Sequence, residues 1–276
     1  MIAPAPEVDT TGSVLVTGGT GHLGRDVVTL LKSGNRVRVL ARTPGSDPQV
    51  EWVRGDLATG EGVAEAVLGV RTVVHAATLS PAARRGYLLP TDLLRSPPEV
   101  DVHGTRRLLD AASRAGVQHI AYISIVGVDR PSGPYMKVKH SAEELVRNGG
   151  LPWSILRATQ FHWLLDRMLG KAARLPVLAM PTGLEAQPCD SRDFAAFVAE
   201  RVAQGPGGLC EDFAGPELLT LGELIEQWQR ARGNGRRLLN VPVPAGVARA
   251  AREMTAPGGR RGRTTWSEWL STHRPE

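Results

Sequence analysis

Thr17-Gly18-Gly19-Thr20-Gly21-His22-Leu23-Gly24 follows directly on the apolar run Ser13-Val14-Leu15-Val16, and no other stretch restricts the fold as tightly. Behind it, Leu23, Val27, Val28, Leu30 and Leu31 recur at helical spacing, so the segment predicts a strand, a tight turn and an amphipathic helix in succession. Glycines remove Cβ atoms where the chain turns sharply and where its backbone must approach a ligand. The first turn of the helix aims free N–H groups and the positive end of its dipole at the same place. Together these features suit the pyrophosphate of a dinucleotide. Gly18, Thr20, Gly21, His22, Leu23 and Gly24 are the first candidate cofactor contacts.

Further strand patterns at Ser13–Thr17, Arg36–Ala41, Val50–Arg54, Thr72–Ala76, His119–Ser124 and Trp153–Arg157 alternate with helical ones at His22–Ser33, Gly62–Leu68, Val100–Gly116 and Tyr135–Asn148. That alternation predicts an α/β fold, a Rossmann-type doubly wound parallel sheet. Beyond Ala158 the rhythm loosens into helical patterns at 160–169, 191–203 and 219–232, an extended run at 181–188 and a strand at 237–243. We read residues 1–12 as a disordered leader and 13–158 as the dinucleotide-binding core. Residues 159–276 form a small C-terminal α/β substrate lobe, interleaved with the core because no Pro/Gly/Ser-rich linker divides them. The proline-rich stretch Leu79–Pro98 reads as a long loop beyond the fourth strand, where loops tend to line sites.

The 276 residues are 42% apolar, enough for a real core. Apolar runs fall short of the roughly 18 to 20 residues that span a bilayer, and the start lacks a secretory pattern. We therefore expect a cytoplasmic protein with no membrane association. The net charge of +5 comes from basic residues interleaved with acids, clustering only at Arg260-Arg261-Gly262-Arg263, so no nucleic-acid partner is expected. Cys189 and Cys210 lack ligand-like neighbours and read as buried or semi-buried free thiols, with no metal site.

An NAD-preferring fold of this type carries an acid about 20 positions past the glycines, to accept from the ribose 2′-hydroxyl. Here that place reads Val39-Leu40-Ala41-Arg42. A guanidinium suits a 2′-phosphate, so NADP(H) is expected over NAD(H). Asp56 is placed to accept from the adenine amino group with Leu57 covering the ring, although helix capping competes for Asp56. Ala76, Ala77 and Thr78 end the fourth strand with small residues, letting backbone pass close to the ribose.

Ser124 closes the fifth strand, Tyr135 comes 11 residues later, and Lys139 lies four beyond it, on the same helix face. A neighbouring ammonium and a positive nicotinamide would lower the phenol's pKa, letting Tyr135 exchange a proton with a carbonyl or alcohol. Ser124 would bond the substrate oxygen, and Lys139 would also hold the nicotinamide ribose. His162 and Trp163, after the sixth strand, are candidate substrate contacts.

With these motifs, and with Val102-His103-Gly104-Thr105, Tyr122-Ile123-Ser124-Ile125 and Leu156-Arg157-Ala158-Thr159-Gln160-Phe161-His162, the chain resembles the short-chain dehydrogenase/reductase superfamily, in its atypical NmrA-like branch. The resemblance implies Ser124, Tyr135 and Lys139 as the active-site trio. It also implies an asparagine near the lysine, where this chain has Asp101. The reading that follows is an NADPH-dependent oxidoreductase reducing a carbonyl or quinone-like small molecule, as a monomer or small homo-oligomer. Its rival is a non-catalytic NADP(H)-binding redox sensor, since the branch includes such members. Nucleotide-sugar epimerisation fits the superfamily but less the compact lobe.

Overall fold

The computed structural model describes residues 12–87, 89–130 and 133–274. All but Gly12 of the expected leader lies outside them. The elements are β1 (Ser13–Thr17), α1 (His22–Leu31), β2 (Arg36–Ala41), β3 (Val50–Arg54), α2 (Val63–Ala66), β4 (Thr72–His75) and α3 (Pro81–Arg85). They continue with α4 (Thr105–Arg114), β5 (His119–Ile125), α5 (Pro134–Asn148), β6 (Trp153–Ala158), α6 (His162–Ala172), β7 (Val177–Met180) and β8 (Glu185–Ala186). Then come α7 (Ser191–Gln204), β9 (Gly208–Leu209), β10 (Phe213–Ala214), β11 (Leu219–Thr220), α8 (Leu221–Arg232), β12 (Arg237–Asn240), α9 (Ala245–Glu253), β13 (Arg260–Arg261) and α10 (Trp266–Thr272).

The main sheet runs β13-β10-β6-β5-β4-β1-β2-β3, with β9 also on β6, and every pairing in it is parallel. Its inner strands are covered on both faces and read as nearly unbroken apolar runs, whereas β2 and β3, toward one edge, alternate apolar with charged residues. All five residues of β1 and all four of β4 are buried. One layer packs α1 and α7 through Val27, Val28, Phe194 and Val198. The opposite layer packs α2, α4 and α5 through Val63, Leu108, Ala142 and Val146. This is a Rossmann-type doubly wound fold. Strand order reverses between β1 and β4, so the crevice beyond their carboxyl ends is where such sheets bind ligands.

Residues after 158 do not stand apart: β9, β10 and β13 extend the main sheet, and α7 packs on α1. They also carry their own core of Leu178, Leu224, Ile225, Trp228, Trp266 and Trp269, joining α6, α8 and α10. Where a loop was expected at 79–98, there are α3, a short turn of helix at Pro90–Leu93 and, from Glu99, a helical segment widened to i→i+5 bonding. Ser80 caps α3 by accepting from Ala83 N–H, and Pro81 fits the first turn because it lacks an N–H. Residue 88 lies outside the described residues. Cys189 and Cys210 are buried and free, and burial pushes the Cys189 thiol up to about 12. No described helix is long and apolar enough to cross a membrane.

Candidate active site

The glycine turn is built around absent side chains. A Cβ on Gly24 would lie 2.0 Å from the carbonyl oxygen of Gly18, and one on Gly18 would lie 2.7 Å from the Ala77 nitrogen. Gly18 also has φ +75°, a left-handed conformation that side chains resist. Thus the backbone of Ala76 and Ala77 passes against the turn because nothing projects between them. No side chain caps α1 at Gly21, and no carboxylate stands in its first turn. The N–H groups of its first turn, with exposed Thr20 and Gly21 and half-buried His22 around them, fit a diphosphate, whereas buried Leu23 anchors the helix to the sheet.

Arg42 is exposed immediately beyond β2, the strand beside β1, and has no ion-pair partner among the described residues. Asp56 spends one carboxylate oxygen on the Ala58 N–H at 2.9 Å. Leu57 is 6% exposed and belongs to the core, its Cβ seated against Gly104. These two residues are therefore occupied by a local turn and by packing.

Beyond the carboxyl ends of β4 and β5 lies a chain of polar groups. The Tyr135 hydroxyl bonds the Thr78 hydroxyl at 2.9 Å, and Thr78 donates to Asp101 Oδ1 at 2.6 Å. The other carboxylate oxygen of Asp101 accepts from Leu79 N–H at 2.9 Å. Lys139 Nζ stands 3.7 Å from Asp101, donates to the Ile123 carbonyl at 2.9 Å and lies 4.3 Å from the centre of the Tyr122 ring. Burial lowers the Lys139 ammonium, and the Asp101 charge partly restores it.

In this arrangement the protein's own groups do not, on balance, lower the phenol's pKa. Tyr135 is raised above the ordinary tyrosine value, first by its densely packed surroundings and then by the Asp101 carboxylate. The ammonium expected to lower it is turned to Ile123 and Asp101 instead. Some of the tyrosine's surface remains exposed.

Ser124 faces the same side of the sheet as Tyr122, toward α5, and is 4% exposed. Its hydroxyl lies beside Glu143, which it helps to hold ionised, yet it makes no hydrogen bond of good geometry. Burial pushes Glu143 up, but the paired bonds from Arg157, at 2.9 and 2.8 Å, outweigh that and leave it below the usual carboxylate range. This buried pair ties α5 to β6 beneath the site. Sequence reasoning missed it, although Glu143 stands four residues past Lys139 on one helix face. It also missed the bridging role of Thr78. His75, between Thr17 at 2.7 Å and Thr105 at 2.9 Å, is held neutral by burial, its pKa lowered to about 3.

His162 has no exposed surface with which to meet a substrate: it is 0% exposed, bonded to the Pro188 carbonyl at 3.0 Å and flanked by Trp266 and Trp269. The apolar face of α6 that opens the lobe core carries it inward. Trp163 stacks on His22 with ring centres 4.0 Å apart and lines a cavity on the outer side of that stack. Neither Ser124, Tyr135 nor Lys139 lines this cavity.

A doubly wound parallel sheet, a bare glycine turn at its switch point and a Ser–Tyr–Lys set beyond β5 define an atypical short-chain dehydrogenase/reductase-like, NAD(P)-binding protein. The chain belongs to the NAD(P)H-binding family, which it matches over residues 18–204. It is 31% identical over 236 residues to the (4-alkanoyl-5-oxo-2,5-dihydrofuran-3-yl)methyl phosphate reductase of Streptomyces griseus subsp. griseus, covering 84% of this chain and 78% of that protein. To the photosystem II assembly factor Ycf39 of Cyanophora paradoxa it is 26% identical over 245 residues, covering 84% and 72%. Among solved structures, the NADPH-dependent quinone oxidoreductase QOR2 of Escherichia coli, complexed with NADPH, is similar in fold at TM-score 0.70 and 18% identity, over 94% of this chain and 98% of that one.

Proposed function

We propose that this protein is an NAD(P)H-dependent oxidoreductase that prefers NADPH and reduces a carbonyl or quinone-like group on a small molecule, with Tyr135 as proton donor. The observation that carries the reading is the Asp101–Thr78–Tyr135 hydrogen-bonded chain beside Lys139, at the edge of the glycine cradle. Bound NADPH would supply the hydride. Gly18, Thr20, Gly21 and His22 hold its diphosphate end, and Arg42 grips the 2′-phosphate. Lys139 keeps donor capacity for the nicotinamide ribose. Ser124, whose hydroxyl lies beside Glu143 without a hydrogen bond of good geometry, would turn from it to bond the substrate oxygen.

A phenol held above its usual pKa stays protonated at neutral pH, which is the form a proton donor needs. Once the proton has gone to the substrate oxygen, the Thr78 hydroxyl can turn to donate to the phenolate. The relative from Streptomyces griseus is named as a reductase, in agreement with this chemistry. Residues 159–276 would act as the lobe that closes over the substrate.

The test is NADPH oxidation over a panel of ketones, quinones and aldehydes. Tyr135→Phe should cut turnover by roughly 10²- to 10⁴-fold, and Arg42→Ala should weaken NADPH by about 10- to 100-fold with little effect on NADH. Wild-type turnover in the Tyr135 variant removes the mechanism, and unchanged discrimination in the other removes the cofactor preference.

The second reading is a non-catalytic NADP(H) sensor, favoured by Asp101, whose charge engages the ammonium that would otherwise stabilise a phenolate. The likeness to a protein named as an assembly factor points the same way. No turnover on any substrate, with partner capture that follows the NADP redox state, would decide for it.

A further inference from the structure

A cavity of about 630 Å³ lies between the first turn of α1, one face of α6, the start of α7 and the end of α10. A volume of this order suits a small ligand. Its wall is strongly and unequally charged. Arg167 and Lys171, four residues apart on one face of α6, line it together with Arg174 in the turn just past that helix. Among the described residues none of the three has a carboxylate partner; Arg167 donates only to the Arg84 carbonyl, at 2.9 Å.

The acids of the same wall are already engaged. Asp166 accepts from Trp228 at 2.7 Å and pairs with Arg232 at 3.0 Å, and Asp190 is bound by Arg192 at 2.8 Å. Asp26 accepts from the Ser191 hydroxyl at 2.6 Å. Trp163 adds a buried indole N–H with no hydrogen-bond partner, a donor that a packed wall ordinarily satisfies. Like charges aligned on a helix face repel, and a concave wall focuses their field.

We infer that this cavity is a binding site for a phosphate dianion, free or as a small phosphomonoester, held by Arg167, Lys171 and Arg174. It goes beyond the oxidoreductase reading, because none of the proposed catalytic groups lines it. The cavity shares only the start of α1 with the cofactor cradle.

Calorimetric titration of the NADPH-saturated protein with glycerol 3-phosphate and, separately, with inorganic phosphate tests this at low salt. Saturable binding of at least one is expected, weakened about 10-fold or more in Lys171→Glu and Arg174→Glu, with NADPH affinity unchanged in both. Tighter binding of the ester assigns the site to a phosphorylated compound; equal binding assigns it to the free anion. Competition between either probe and NADPH would make the cavity an annex of the diphosphate seat and overturn the inference. So would full affinity in both variants, or heat from neither probe. If NADPH itself fails to bind, the oxidoreductase reading falls while the phosphate titration is still read on the cofactor-free protein.

Discussion

Residues 13–158 and 159–274 bury their side chains on different terms. In the first region β1 and β4 are buried at every position, and the polar groups among them, such as His75 and Asp101, are bonded from two or more sides. In the second, α9 has no buried residue and most of β12 is exposed, although the tryptophan cluster around α8 and α10 is as dry as any core. The difference teaches where precision resides. The glycine cradle sits in the part that cannot yield, and the part with slack lies outside it.

Filling the turn should break the first region most severely. Gly24→Val drives side-chain atoms into the Gly18 carbonyl, so NADPH binding measured by calorimetry should fall more than about 100-fold, with overpacking costing ~1–3 kcal/mol or more. Gly34→Ala is the control, since nothing lies within 4 Å of its added Cβ. Equal cofactor affinity in the two variants would show that the turn is not the seat.

Acid should act on both regions through buried histidines. Burial lowers His75 to about 3, and His119 and His162 to about 4. These folded-state values lie below the unfolded value near 6.5, so between about pH 4 and 6.5 the unfolded chain binds more protons. Stability is therefore present above that window and lost as pH falls through it. Each histidine contributes a slope of up to ~1.4 kcal/mol per pH unit. Urea midpoints between pH 7 and 4.5 should drop steeply, and His162→Gln should flatten the curve by about one proton's worth; an undiminished slope would mean that His162 takes no part.

Least affected should be α9. Val247 is 45% exposed on a helix with no buried residue, so Val247→Ser should change unfolding free energy by less than about 0.5 kcal/mol. A larger loss by denaturant unfolding would show that the lobe is tighter than its surface suggests.

The six long strands of the main sheet were legible from their β-branched apolar residues, unbroken in β1 and alternating with charged residues in β2 and β3, and all three of these begin and end where the sequence puts them. β9, β10 and β13 were not, because two residues carry no period. Helix α10 had a readable start, Thr265 with Glu268 three residues on, a reciprocal cap that went unnoticed among the arginines before it. In the site, the spacing of Ser124, Tyr135 and Lys139 was visible. The Thr78 bridge was not, since 57 residues separate it from Tyr135. The direction of the ammonium was not legible for a related reason: sequence shows that a lysine is near, but not that it donates to the Ile123 carbonyl.

The widened helical segment at Glu99–Gly104 carries Asp101 just ahead of α4. Such a segment holds one surplus residue relative to ordinary helical winding, and each residue of winding turns a side chain by about 100°. Trimming a single amino acid here would rewind the backbone and swing the carboxylate out of reach of Thr78, with α4 and the sheet left where they are. The Asp101–Thr78–Tyr135 hydrogen-bonded chain thus depends on chain length at one spot as much as on the identity of any side chain along it.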